Sequence, residues 1–206
     1  MKSIPLGIES FEDLRKTSYY VDHTSLIESI EAFAPTSAIL ILRPRRFGKS
    51  LALSMLQSFF ESDCQKRKAL FSGLSIEKNK SLMALSPKPV IYLKFKDLKS
   101  QTYEKFLRDF AVLINEEYQR QKTKYDSALI CPGLEKIVSE TTDETALKNA
   151  TYVLAKSLYD ATGSKVYVFI DEYDTPISQA MANGYFDEAS RFFQFLYLIP
   201  NSRLKT

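Results

Sequence analysis

One histidine and two cysteines in 206 residues remove several kinds of chemistry at once. Cys64 and Cys131 stand far apart with no C-x-x-C spacing, and His23 is the single histidine, so neither a disulfide framework nor a zinc site is supported. His23 has no Ser or Cys nucleophile motif beside it and reads as a polar turn residue rather than a catalytic base. Long apolar runs are missing as well. No stretch approaches membrane-spanning length, and the opening MKSIPLGIES lacks the apolar core of a signal peptide, so a cytoplasmic protein without a membrane partner is expected. Internal repeats, low-complexity tracts and linkers are absent from the sequence too, which favours one domain.

The charge excess is small. A net +3 is too little to mark a nucleic-acid binder by itself. Its distribution says more: residues 1–100 hold 16 Lys/Arg against 10 Asp/Glu, and the remainder 12 against 15. Four of the early cations lie between Arg43 and Lys49. A hydrophobic content of 45% is ample for a core.

Ala38 to Phe60 read AILILRPRRFGKSLALSMLQSFF. The short apolar run Ile39–Leu42 predicts a buried strand reaching Arg43, because Pro44 pushes the residue before it toward extended geometry. Leu51, Ala52, Met55, Leu56, Phe59 and Phe60 recur at three and four and predict a helix. The turn between them therefore falls on a helix N-terminus, where unpaired N–H groups and the dipole attract a polyphosphate. Gly48 lets backbone approach the phosphate, Lys49 can reach its outer oxygens, and the Ser50 hydroxyl suits Mg²⁺. Arg43 stands at the first glycine position of G-x-x-x-x-G-K-[ST]. Arg43, Arg45 and Arg46 crowd three cations beside Lys49, which calls for an anionic partner. The whole turn, Arg43, Pro44, Arg45, Arg46, Phe47, Gly48, Lys49, Ser50 and Leu51, is the expected nucleotide contact.

Around it, Ser10 predicts a short helix at Phe11 and Leu14. Tyr19–Val21 look extended. Ser25 and Glu28 have capping-box spacing ahead of a helix burying Leu26, Ile27, Ile30 and Phe33 up to Pro35. Residues 66–86 predict short helical pieces, with Lys66, Arg67 and Lys68 as a solvated helix end. Pro89 opens a strand, PVIYLKF, whose Lys94 and Lys96 suit a sheet edge. A helix from about Thr102 buries Phe106, Leu107, Phe110, Leu113, Ile114 and Tyr118. Pro132-Gly133 reads as a turn. Another helix, capped by Thr141 and Glu144, buries Leu147, Ala150, Leu154 and Leu158 and stops at Gly163. Val166–Ile170 form an apolar strand ending in Asp171 and Glu172, with Asp174 as a helix cap ahead of Thr175-Pro176. Asn183-Gly184 turns the chain into a helix from Phe186 to before Pro200. Alternating strands and helices predict an α/β fold with a parallel sheet covered on both faces.

In such a sheet ligands gather at the carboxyl ends of strands, the end where Asp171 and Glu172 fall. Asp171 can hold Mg²⁺ and Glu172 can orient or deprotonate an attacking water. Lys49 and these acids are expected to meet at one metal-bound polyphosphate. No guanine-reading or adenine-reading contact is visible, so the loop by itself suits ATP and GTP alike.

YVDHT at Tyr20–Thr24, RPRRFGKS at Arg43–Ser50 and IDEYDTPI at Ile170–Ile177 resemble the AAA-ATPase-like family of predicted bacterial and archaeal P-loop proteins. The family usually has lysine where His23 stands, and Arg43 is a normal variant of its loop. The resemblance implies a three-layer αβα P-loop sandwich of the additional-strand type, with residues 1–36 as a helical lead-in and 37–206 as the core. It implies MgATP as ligand, Lys49 and Glu172 as catalytic residues, and Ser50 and Asp171 at the metal. The inserted strand of that fold, which supplies a polar sensor, would follow the last helix, so a longer protein is expected, with a nuclease-like domain as a route to nucleic acid. A homo-oligomer or a protein partner could supply an arginine finger in trans. Without the inserted strand the chain is expected to be marginal in stability or oligomeric. A nucleotide-dependent switch with little turnover is the alternative reading, and a nucleic-acid module using the basic turn is a third.

Overall fold

Ser10 caps the first helix as its position predicts: its Oγ accepts from the Asp13 N–H at 3.3 Å, and α1 runs Phe11–Thr17. The structure is a computed structural model that describes residues 7–33, 39–41, 47–125, 134 and 143–202, with 195–202 described by their backbone. Arg43, Pro44, Arg45 and Arg46 lie outside the described residues, as do Pro35, Leu42, Cys131, Pro132-Gly133 and Thr141. The chain divides into two compact units, Met1–Val90 and Ile91–Thr206.

The first unit is helical. After α1 come α2 (Ser25–Ala32), α3 (Lys49–Glu61), α4 (Cys64–Phe71), a 3-10 turn at Ser75–Lys78 and α5 (Lys80–Met83). Phe11, Phe59 and Phe71 are fully buried and meet ring to ring at 5.0 and 5.2 Å between centroids. Each such ring contributes about 1.5–3 kcal/mol of burial. The Phe11 N–H donates to Ser54 Oγ at 3.0 Å and so fixes α1 on α3. The expected box at Ser25 and Glu28 does not form. Thr24 is the cap residue, and its hydroxyl is engaged elsewhere, donating to Asp22 Oδ1 at 2.7 Å. Ile27 and Ile30 are buried as expected, whereas Leu26 is half-buried and Phe33 exposed, because an eight-residue helix presents only one narrow stripe to its neighbours. Tyr19–Val21 form no regular strand.

Two further expectations in this unit are overturned. Arg67 is no solvated helix end: it is 0% exposed. Its Nε donates to the Phe59 carbonyl (2.8 Å), Nη1 to those of Met83 (3.1 Å) and Leu85 (2.6 Å), and Nη2 to that of Ser62 (2.7 Å). The Phe59 and Ser62 carbonyls close the end of α3 and have no partner further along the helix. A five-donor planar group satisfies them where water cannot enter, and it lies over the Phe59 ring at 4.8 Å. Burial lowers the guanidinium pKa from its ordinary value, against the pull of Cys64 and Asp63.

The second correction concerns the strand before the basic turn. Ile39, Leu40 and Ile41 carry no ladder, and Ile39 and Leu40 are 39% and 62% exposed. An apolar run becomes a strand only where a neighbour takes its N–H and C=O groups, and the sheet among the described residues has two strands, neither in this stretch.

The second unit is mixed. Its elements are β1 (Val90–Lys94), a 3-10 turn at Phe95–Asp97, α6 (Tyr103–Tyr125), α7 (Glu144–Thr162), β2 (Tyr167–Asp171), α8 (Asp174–Asn183) and α9 (Phe186–Ser202). β1 and β2 pair as a small parallel sheet. Phe106, Phe110 and Ile114 of α6, Leu147, Ala150, Leu154 and Leu158 of α7, and Ala189 and Phe192 of α9 are all fully buried in one cluster. Gly163 ends α7 at φ 62°, its N–H donating to the Tyr159 carbonyl at 2.7 Å. The cap of α7 is Asp143, whose carboxylate accepts from the Thr145 N–H at 3.0 Å. Asp174 is the first residue of α8 and not its cap, but it still sits at the positive end of the helix dipole. α9 continues past Pro200 to Ser202, since proline removes one rung without forbidding helical dihedrals around it. No helix among the described residues is long and apolar enough to cross a membrane.

Candidate functional site

The predicted residues fall in both units. In the first, Gly48 precedes α3 at φ 72° and ψ 30°, a left-handed conformation that glycine adopts without strain. It makes no side-chain cap, and the helix begins at Lys49. Its carbonyl accepts from the Ala52 N–H at 2.9 Å, the first rung of α3. The N–H groups of Lys49, Ser50 and Leu51 therefore open the helix without a capping side chain, in the arrangement that attracts an anion. Lys49, Ser50 and Leu51 are half-buried and Phe47 is exposed. Beyond Leu51 the helix turns its apolar face inward, with Ala52, Met55, Leu56, Phe59 and Phe60 buried. That anchoring sets the direction of the N-terminus.

In the second unit, Ile91 and Leu93 are buried in the helical cluster, and Val168 and Ile170 pack against the same cluster. Side chains alternate across a strand, so Tyr92 and Asp171 stand on the opposite face. Asp171 closes β2 and is 5% exposed. Both of its oxygens are held: Oδ1 accepts from the Glu172 N–H at 3.0 Å and Oδ2 from the Tyr92 hydroxyl at 3.3 Å. Glu172 then turns off the strand at φ 52°, the one non-glycine residue with positive φ among those described. Such a conformation costs about 1–2 kcal/mol for an L-residue. It brings the Glu172 carbonyl to the Thr175 N–H at 3.0 Å, where α8 starts.

β1 has its own support. The Tyr92 N–H donates to Glu117 Oε1 at 3.2 Å, and Glu117, nearly buried on α6, also accepts from Arg120 Nε and Nη2 (both 2.8 Å) and from Gln121 Nε2 (2.7 Å). Sequence reasoning missed Tyr92 and Glu117. The only available signal for Tyr92 was its place two residues before the end of an alternating strand, and for Glu117 an acid set among apolar residues of a helix face. A further constellation holds the YVDHT stretch: Asp22 Oδ1 accepts from the Thr24 N–H (2.9 Å) and hydroxyl (2.7 Å), and Oδ2 from the Ser75 N–H (2.7 Å) and hydroxyl (2.6 Å). Partial burial would raise the carboxyl pKa, but these donors outweigh it and hold Asp22 well below the usual carboxylate range. His23 beside it is exposed.

Among known proteins, one described as "Uncharacterized protein in vnfD 5'region", from Azotobacter chroococcum mcd 1, is 35% identical over 77 residues, which are 36% of this chain and 14% of that protein. No solved structure matches the chain. The family described as Predicted AAA-ATPase matches residues 5–203, nearly the full length, and the chain belongs to that family.

Proposed function

We propose that the chain is the nucleotide-binding part of a Mg-dependent ATPase with a three-layer P-loop core of the additional-strand type. In this reading residues Arg43 to Leu51 bind the phosphates, Ser50 and Asp171 are the metal ligands, and Lys49 and Glu172 carry the chemistry. The observation that carries it is the uncapped start of α3, where a left-handed Gly48 is followed by Lys49 and Ser50. The donor set suits the metal: a Ser50 hydroxyl and an Asp171 carboxylate are hard oxygens. Among the described residues no group of three or more His, Cys, Asp or Glu is placed to hold an ion. Mg²⁺ relies on one or two carboxylates plus phosphate and water, a requirement that Asp171 and Ser50 can meet.

When bound, Mg²⁺ would neutralise charge on the β- and γ-phosphate oxygens. Lys49 spreads the same charge. Glu172 accepts a proton from water as the water oxygen bonds to the γ-phosphorus, and the bond to the bridging oxygen breaks to release ADP. The positive φ at Glu172 supports that role, because backbone strain in a non-glycine residue clusters at functional positions.

The test is calorimetry of ATP binding with and without Mg²⁺, together with phosphate release. Lys49→Ala should lose binding, and Glu172→Gln should keep binding and lose turnover. An alanine variant that binds ATP as the parent does overturns the assigned loop. A parent that binds tightly without turnover, unaffected by Glu172→Gln, would make the chain a nucleotide switch.

A further inference from the structure

Asp171 is the end of a polar relay that starts on another element. Its Oδ2 accepts from the Tyr92 hydroxyl at 3.3 Å, across 79 residues of sequence. Tyr92 is itself set by its backbone, which donates to the nearly buried Glu117 carboxylate. Its ring carries Lys94 Nζ at 5.6 Å from the centroid. The opposite oxygen of Asp171 is taken by the Glu172 N–H. A carboxylate with one donor on each oxygen has a fixed plane and keeps one acceptor direction per oxygen for a further ligand.

We propose that Tyr92 is a positioning residue for the metal site: its hydroxyl fixes the rotamer of Asp171 so that the carboxylate presents its remaining acceptor to Mg²⁺ or to a water of that ion. This rests on the ATPase reading above and deepens it. A phenylalanine at this position keeps the ring and removes the hydroxyl that donates to Asp171. Asp171 then keeps the Glu172 N–H on Oδ1 and gains freedom of rotation. Partners of metal-binding carboxylates typically change metal affinity by 10- to 100-fold when removed. The single long hydrogen bond here places the effect at the lower end, roughly 10-fold.

The measurement is the ratio of affinities for a non-hydrolysable ATP analogue with and without Mg²⁺, by calorimetry on the intact chain. Tyr92→Phe should lower this ratio roughly 10-fold and leave metal-free binding unchanged. In an Asp171→Asn background the same substitution should have no further effect on the ratio, because Tyr92 acts through that carboxylate. A Tyr92→Phe ratio equal to that of a parent with clear Mg²⁺ dependence overturns the inference and leaves the ATPase reading standing. An undiminished effect in the Asp171→Asn background also overturns it, since Tyr92 would then act by another route. If the parent binds the analogue no better than Lys49→Ala, the ATPase reading fails and takes this inference with it.

Discussion

Replacing Arg67 with methionine tests how the first unit is held together. Methionine fills a similar volume with no donor, so four backbone carbonyls lose their partner, those of Phe59, Ser62 and Met83 in buried contacts and that of Leu85 in a partly buried one. An unsatisfied buried group costs about 1–3 kcal/mol, which gives an upper sum of about 4–12 kcal/mol. Two effects reduce it. Carbonyls with two lone pairs tolerate loss better than N–H groups do, and the variant no longer desolvates a cation. A net loss of about 3–5 kcal/mol remains, a large part of the 5–15 kcal/mol typical of a domain. Lysine would be intermediate at about 2 kcal/mol, because three donors on one nitrogen cannot reach four carbonyls spread around a planar fork. Urea unfolding followed by far-UV circular dichroism reads this directly. With a slope of about 2 kcal/mol/M, the midpoint of the methionine variant should fall by about 2 M. A midpoint within about 0.3 M of the parent would show that water or backbone movement satisfies those carbonyls, and the capping argument would be wrong.

Glu117→Gln should destabilise the second unit by about 1–2 kcal/mol in the same assay, because an amide keeps one acceptor oxygen and turns a donor toward Arg120, which can swing into water. Glu172→Gly should raise stability by up to about 1 kcal/mol while abolishing turnover, since glycine relieves the positive φ and removes the carboxylate; a loss of stability would show that the residue is unstrained. Asp22→Asn should lower stability at neutral pH. Asp22 titrates below its unfolded value, so its contribution is present above about pH 4 and is lost as pH falls through the lower folded value. The asparagine variant should accordingly converge with the parent in strong acid, and parallel curves from pH 7 to 2 would refute the assignment.

What the sequence disclosed was local. The faces of α6 and α7 follow a 3.6-residue period, so Phe106, Phe110, Leu147 and Leu154 were legible, as was the stop at Gly163. The start of α3 was legible for the same reason, since Gly48, Lys49 and the apolar face lie within one short window. Caps were placed one residue off at Thr24 and two off at Asp143, because neighbouring Ser, Thr and Asp residues are equivalent candidates until the backbone decides. Arg67 looked like part of a basic run, and its true partners lie 5 to 18 residues away on carbonyls that carry no sequence signal. The Ile39–Leu42 strand failed in its described part because strand formation depends on a neighbour rather than on composition. At the acidic end, Asp171 closing a strand could be read from the apolar run before it. Its tether to Tyr92 could not, being a contact between strands far apart in sequence.

The carboxylate of Glu117 has one last consequence. By occupying the Tyr92 amide with a charge, it makes that margin of β1 a poor template for another chain, because an incoming strand would forfeit a rung and dislodge an anion held by Arg120. The same anion that steadies β1 against α6 thereby deters stray aggregation along that strand.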